Sequence, residues 1–279
     1  MFVPKVVMLL PLLASAALAQ PTRSPNQAEA TPTPSVRLTS EEMAHAIKSD
    51  DVTIPTPGEL FAALADLAKP DWPSYYRGPI PINYRSRAQI ALNLGGLIAD
   101  GFIAVEAQDT QQVKNIGADV MKMAKGLGVS ESILARGNSI NQFADNDEWA
   151  TLQEELEATQ NEAKASMQSH RDQDLVILVS LGGWIRGTQV VSALVEKNYT
   201  EQLGQILRQP ELLHFIRAKI GQISPEMQND PLVKSVNAQL DAIEQAVATP
   251  FGRGLTLPEV KKLHASVNAL MQQIQKKDK

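Results

Sequence analysis

The chain has 279 residues, 43% of them hydrophobic, with 26 Lys and Arg against 31 Asp and Glu and a formal net charge of −5. That apolar content supports a sizeable core, and the acidic balance argues against a partner of nucleic-acid phosphates or anionic lipid. No cysteine is present, which excludes disulfides, thiolate nucleophiles, thiolate metal sites and a lipid-modified cysteine.

In chain order, residues 1–19 have the layout of a secretory signal peptide. Lys5 gives a positive start, Val6 to Leu18 is almost wholly apolar, and Ala17-Leu18-Ala19 is a small-x-small cleavage site before Gln20. Such a segment is too short and wrongly flanked for a membrane span. The mature chain is therefore expected to begin near Gln20, in a bacterial periplasm or secreted. Without Lys5 it carries 25 Lys and Arg against 31 acidic residues, a net −6. Extracellular animal proteins of this size usually carry disulfides, so a cysteine-free exported chain fits a bacterial envelope better. The sequon Asn198-Tyr199-Thr200 reads as incidental in that setting.

Residues 20–38 are rich in Pro, Thr, Ser and Ala without hydrophobic periodicity, the composition of a flexible tether. A single all-α domain is expected over 39–279, with a possible subdivision near 144–172. Two capping boxes, Thr39-Ser40-Glu41-Glu42 and Thr56-Pro57-Gly58-Glu59, open helices near 40–49 and 57–68.

Residues 70–85, PDWPSYYRGPIPINYR, hold four prolines, Trp72, Tyr75, Tyr76 and Tyr84. Prolines at that density exclude a helix interior or central strand, so an extended, ordered loop is expected. Trp72, Tyr75, Tyr76, Arg77, Tyr84 and Arg85 are the candidate ligand- or partner-binding residues, because Tyr, Trp and Arg dominate interface hot spots. The reading favoured over binding is that the loop drapes over the helices and buries these rings as a lid.

From Ser86 onward the apolar spacing is helical. It predicts helices near 86–108, 110–126, 130–143, 146–170, 173–197, 200–208, 210–222, 231–248 and 257–275. Clear stripes are Ile116, Val120, Met123, Leu127; Val236, Leu240, Ile243, Val247; and Leu263, Val267, Leu270, Ile274. Ser224-Pro225, Asp230-Pro231 and the box Thr256-Leu257-Pro258-Glu259 mark starts. Short connections favour antiparallel neighbours, hence a multi-helix bundle or stacked helical hairpins.

Leu94-Gly95-Gly96-Leu97-Ile98 echoes Leu181-Gly182-Gly183-Trp184-Ile185, each inside an apolar helix. Glycine pairs cost a helix about 2 kcal/mol in total against alanine, so close helix packing or a ligand resting on the notch is implied. Neither pair follows a strand, which removes a dinucleotide reading. Residues 175–195 are long and apolar enough to raise a membrane span. Arg186 lies near their middle and Gln189 beyond it, so a buried soluble helix is the better reading. A buried Arg186 needs a counter-charge, and Asp100 occupies nearly the equivalent place in the echoing helix, so the two are expected to pair.

The run Asp145-Asn146-Asp147-Glu148 lacks the glycine and distal glutamate of a calcium loop. Asn146 or Asp147 is instead expected to cap the next helix, whose narrow stripe Trp149, Leu152, Leu156, Ala163, Met167 suits an exposed arm or a single seam. His45, His170, His214 and His264 are scattered, and His170-Arg171-Asp172-Gln173-Asp174 lacks metal-site spacing. No catalytic residue, cofactor or metal site is assigned. The expectation is an exported, soluble, non-enzymatic binding or scaffold module of the bacterial envelope, its partner a protein or small molecule, with no nucleic-acid binding and no stable membrane insertion. A small-ligand carrier or enzyme with a pocket between the Gly-Gly helices is the alternative.

Overall fold

The computed structural model describes residues 58, 61, 64, 70–129, 131, 135–169, 172–250 and 252–277. The expected leader 1–19, tether 20–38 and helix 40–49 lie outside those residues, as do His45 and His170. Of the helix expected at 57–68, Gly58, Phe61 and Leu64 are helical and buried. Their spacing of three sets one face inward.

A 3-10 turn, Trp72–Tyr75, precedes the helices α1 (Arg87–Glu106), α2 (Thr110–Gly126), α3 (Gly137–Asp145), α4 (Trp149–Ser169) and α5 (Gln173–Lys197). They are followed by α6 (Glu201–Ile206), α7 (Pro210–Ile220), α8 (Pro225–Gln228), α9 (Pro231–Val247) and α10 (Leu257–Gln275). Among the described residues there is no strand. The bounds of α2, α5 and α10 match the hydrophobic periodicity residue for residue.

Helix starts follow from short polar side chains that take the unpartnered N–H groups of a first turn. Asp230 accepts from the Leu232 and Val233 amides at 2.8 and 3.2 Å, and its other carboxylate oxygen accepts from the Ser86 hydroxyl at 2.9 Å. Ser86 in turn caps α1 through the Gln89 amide. One carboxylate thus ties the starts of two helices together.

Two expectations are corrected. The single helix predicted over 130–143 is interrupted, since Arg136 is a turn residue and α3 starts at Gly137. Arg136 reaches across to Glu155 and Glu162 of α4 at 3.0 and 2.9 Å, while Gly137 lies close against Met121. Nor do Asn146 and Asp147 cap α4. The Asn146 amide closes α3 onto the Gln142 carbonyl, and Asp147 adopts a left-handed φ of 58° that turns the chain into Trp149. Helix α4 packs along one seam. Leu152 and Met167 are buried, and Leu152 joins Ala104, Val105, Val113, Ile116 and Ala144 in a satellite cluster.

The centre of the fold is the contact of α1 with α5. A Cβ built on Gly95 would fall 1.9 Å from the Val179 carbonyl oxygen, and one built on Gly182 would fall 1.9 Å from the Leu92 carbonyl oxygen. The two contacts are reciprocal: Gly95 and Leu92 occupy the same places in the echo as Gly182 and Val179. Arg87 also meets Asp172, and Asp100 meets Arg186. A nearly constant offset over that length means that the helices run parallel. Local hairpins therefore do not account for the centre of the architecture. The echo marks two parallel helices that fit backbone to backbone.

Helix α10 runs antiparallel to α5, with His264 on Glu196 at 2.7 Å and Asn268 on Gln189 at 2.5 Å. Its last carbonyls are buried and satisfied by α1 side chains. Gln89 donates to Ile274 and Lys276 at 3.0 and 2.8 Å, and Asn93 donates to Ile274 at 2.8 Å. This answers the unpartnered carbonyls of a helix end with neutral amides rather than water. At its other end, Thr256 N–H donates to Glu259, which Arg253 grips with two hydrogen bonds of 2.8 and 2.9 Å.

Both α1 and α5 are long and apolar enough to cross a membrane, but 83% and 94% of their apolar windows are buried by neighbouring helices.

Two predictions follow from these contacts. Gly95→Ala places a methyl inside a carbonyl contact and is expected to cost about 3 kcal/mol or more in urea unfolding. Gly117→Ala in α2, where nothing lies within 4 Å, is expected to gain about 0.5–1 kcal/mol. Equal effects of the two would contradict the packing assignment. Arg253, chiefly, and the Thr256 amide hold the Glu259 carboxyl down at about 2. Because the folded pKa lies below the unfolded one, this stabilisation is present above about pH 4.5 and is lost as pH falls towards 2. Glu259→Gln should flatten the acid-unfolding curve in that window, and an unchanged curve would refute the linkage.

Candidate functional site

The loop 70–85 lies across α1 and α5. Trp72 is buried with its ring 5.5 Å from Phe61, in an edge contact, and 6.5 Å from Tyr75. Tyr84 is buried, and its hydroxyl donates to the Gln275 carbonyl at 3.1 Å; burial pushes its pKa up to about 12. Tyr75 and Tyr76 are half-buried, and the Tyr76 hydroxyl bonds Asp109, the capping residue of α2, at 3.3 Å. Burial, reinforced by Asp109, raises the Tyr76 pKa. Arg85 is exposed. The six candidate residues thus do not form one surface: two are core, three are half-buried and one faces solvent.

Beneath the loop, Asp100 and Arg186 meet. Arg186 Nε donates to Asp100 Oδ1 at 2.8 Å, with the side chains 5% and 9% exposed. The second oxygen, Oδ2, accepts from Arg77 Nε of the loop at 2.5 Å. Sequence spacing gave no sign of Arg77 here, because its approach depends on the path of an irregular loop. Arg186 spends its remaining donors on Gln189 Oε1 at 2.7 Å and the Tyr75 carbonyl at 2.6 Å. Gln189 passes the network on to Asn268 of α10. One buried carboxylate thereby fixes the loop to both central helices.

The charge balance of this triad is uneven. Two guanidinium groups share one carboxylate, a net charge of +1 in a buried place. Each of the three Arg186 nitrogens has a partner, whereas Arg77 Nη1 and Nη2 are buried without one. Burial lowers the pKa of Arg77 and Asp100 opposes that shift.

No room exists for a ligand between the Gly-Gly helices, since their backbones touch there. A small apolar cavity lies elsewhere, among α5, α6, α7, α9 and α10, and involves no residue of α1. Trp184, Thr188, Val191, Leu213, Ile243 and Leu263 line it. The indole N–H of Trp184 is buried and unpartnered. Of the remaining histidines, His264 pairs with Glu196, and the exposed His214 lies 3.4 Å from Glu244. Among the described residues no group of three His, Asp or Glu side chains could hold a metal ion. Compared with protein-family models, with curated proteins and with solved structures, the chain matches none.

The triad ranks its own substitutions. Asp100→Ala strands two buried cations and is expected to cost about 3–5 kcal/mol. Arg77→Met leaves the Asp100–Arg186 pair intact and removes the unpartnered donors, so it should cost no more than about 1 kcal/mol. Chemical denaturation of both variants checks the order, and a larger loss in Arg77→Met would contradict it.

Proposed function

We propose that the protein is an exported, non-enzymatic binding module of the bacterial envelope, and that its loop 70–85 is the surface a protein partner meets. The observation that carries this reading is the loop's anchoring. Arg186 holds it at the Tyr75 carbonyl and Asp100 holds it at Arg77. Pro73, Pro79 and Arg85 stay exposed, with Tyr76, Ile80 and Ile82 half-buried beside them. A loop held rigid before binding loses little conformational entropy when a partner arrives. Its exposed arginine and half-buried tyrosines are the side-chain types that concentrate interface energy. The leader at 1–19 supports export, and the absence of cysteine suits an unanchored mature chain.

Site-specific photo-crosslinking in the native host tests both halves of the proposal. A photoreactive residue at Pro79 should give a crosslinked protein from the exported fraction, and the mature chain should start at Gln20. The same residue at the exposed Ala242 of α9 should give none. Crosslinks from neither position, or retention of the uncleaved chain in the cytoplasm, would overturn the reading.

A further inference from the structure

We propose that segment 78–85 takes up an extended, acidic segment of a partner protein as an added β-strand. This rests on the reading of loop 70–85 as the partner surface and names the chemistry that binds there. Three features carry it. The first is shape. Over residues 76–84 no helix, turn or bend interrupts the chain. Pro79 and Pro81 fix their own φ and hold Gly78 and Ile80 extended before them. Ile80, Ile82 and Tyr84 pack on the core, whereas Pro79, Asn83 and Arg85 are exposed and Pro81 is half-buried. That alternation by two is the pattern of a strand lying on the helices.

The second feature is the backbone. Among the described residues no N–H or carbonyl of residues 77–84 forms a hydrogen bond. Native structures rarely bury such groups unpaired, so they stand against water and are free to pair. Successive residues of a strand aim these groups at opposite edges. Gly78, Ile80 and Ile82 keep their donors on one edge, while Pro79 and Pro81 strip donors from the other. The edge that keeps its donors matches a sheet edge that accepts an extra strand from a ligand.

The third feature is charge. The chain carries −5 overall, yet Arg85, Lys276 and Lys277 are exposed where the segment ends. Lys277 Nζ donates to Asn83 Oδ1 at 3.0 Å, which sets the end of the chain described after α10 against the segment. Among the described residues none of these three cations forms an ion pair. Asp230, reached through Ser86, has both carboxylate oxygens engaged already. Carboxylates on an incoming strand would answer these cations. Segment 78–85 holds no carboxylate of its own, so a second copy of it does not supply the complement.

Amide hydrogen exchange of the purified protein, read residue by residue by NMR, tests the assignment. The probes are a short capped peptide of alternating Glu and Val, and the same peptide with Lys in place of Glu. Near-saturating Glu-Val peptide should slow exchange at Ile80 and Ile82 by about tenfold or more, since each amide gains a strand hydrogen bond. Arg85→Glu should weaken the affinity for that peptide by about fivefold. Ile82→Pro removes a donor from the edge without changing charge and should abolish protection at Ile80. The Lys-Val peptide should protect neither amide. Unchanged exchange with the Glu-Val peptide would overturn strand addition, and a Pro79 crosslink obtained alongside would leave the partner reading standing without it. Equal protection by the Lys-Val peptide would overturn the acidic class. Protection that rises with protein concentration alone would assign the edge to a second copy and overturn the proposal.

Discussion

Two helices that touch through their backbones, α1 and α5, set the terms for everything packed around them. Backbone contact is possible only where side chains are absent, and the reciprocal places of Gly95 and Gly182 meet that condition. Each glycine costs its helix about 1 kcal/mol of intrinsic stability against alanine. The return is close packing of two long apolar faces, with Leu92, Ile103, Leu178, Leu181 and Ile185 fully buried. Once the pair is set, α10 lies antiparallel to it, and its buried C-terminal carbonyls meet Gln89 and Asn93. Moving the crossing by one turn would strand those carbonyls and separate Asp100 from Arg186.

The charged cluster does a different job. Apolar packing is tolerant of small slips, whereas a carboxylate between two arginines has few acceptable geometries. Asp100, Arg186, Gln189 and Asn268 therefore specify the register of three helices, and Arg77 adds the loop. This explains how a proline-rich segment with little regular structure of its own holds a defined course. The fold thus carries its proline- and aromatic-rich loop on the two helices that touch through their backbones.

Much of this was legible in the sequence because it rests on local chemistry. The ends of α2, α5 and α10 follow from caps and from apolar stripes, and the seam of α4 follows from the narrowness of its own stripe. The counter-charge for Arg186 was legible for another reason, since a buried cation demands one and the echo of the two helices pointed to its place. What was hidden depends on long-range geometry. A glycine pair signals close approach without saying whether the helices run parallel or antiparallel, and short connections speak only for consecutive helices, which α1 and α5 are not. Arg77 reaches Asp100 along an irregular path that no periodicity describes. The break at Arg136–Gly137 reflects ion pairs to Glu155 and Glu162 on another helix, and the Asn146-Asp147 turn reflects a left-handed residue between helices.

If the α1–α5 crossing is the structural keystone, its amides should be the last to open. Native-state hydrogen exchange tests this directly, because it reads the opening free energy of each helix separately. The backbone amides around Leu92–Gly96 and Val179–Gly183 should exchange only through global unfolding, with α3, α4 and α9 opening at lower cost. Exchange of either glycine segment by a local opening, while α9 and α10 stay protected, would contradict the account.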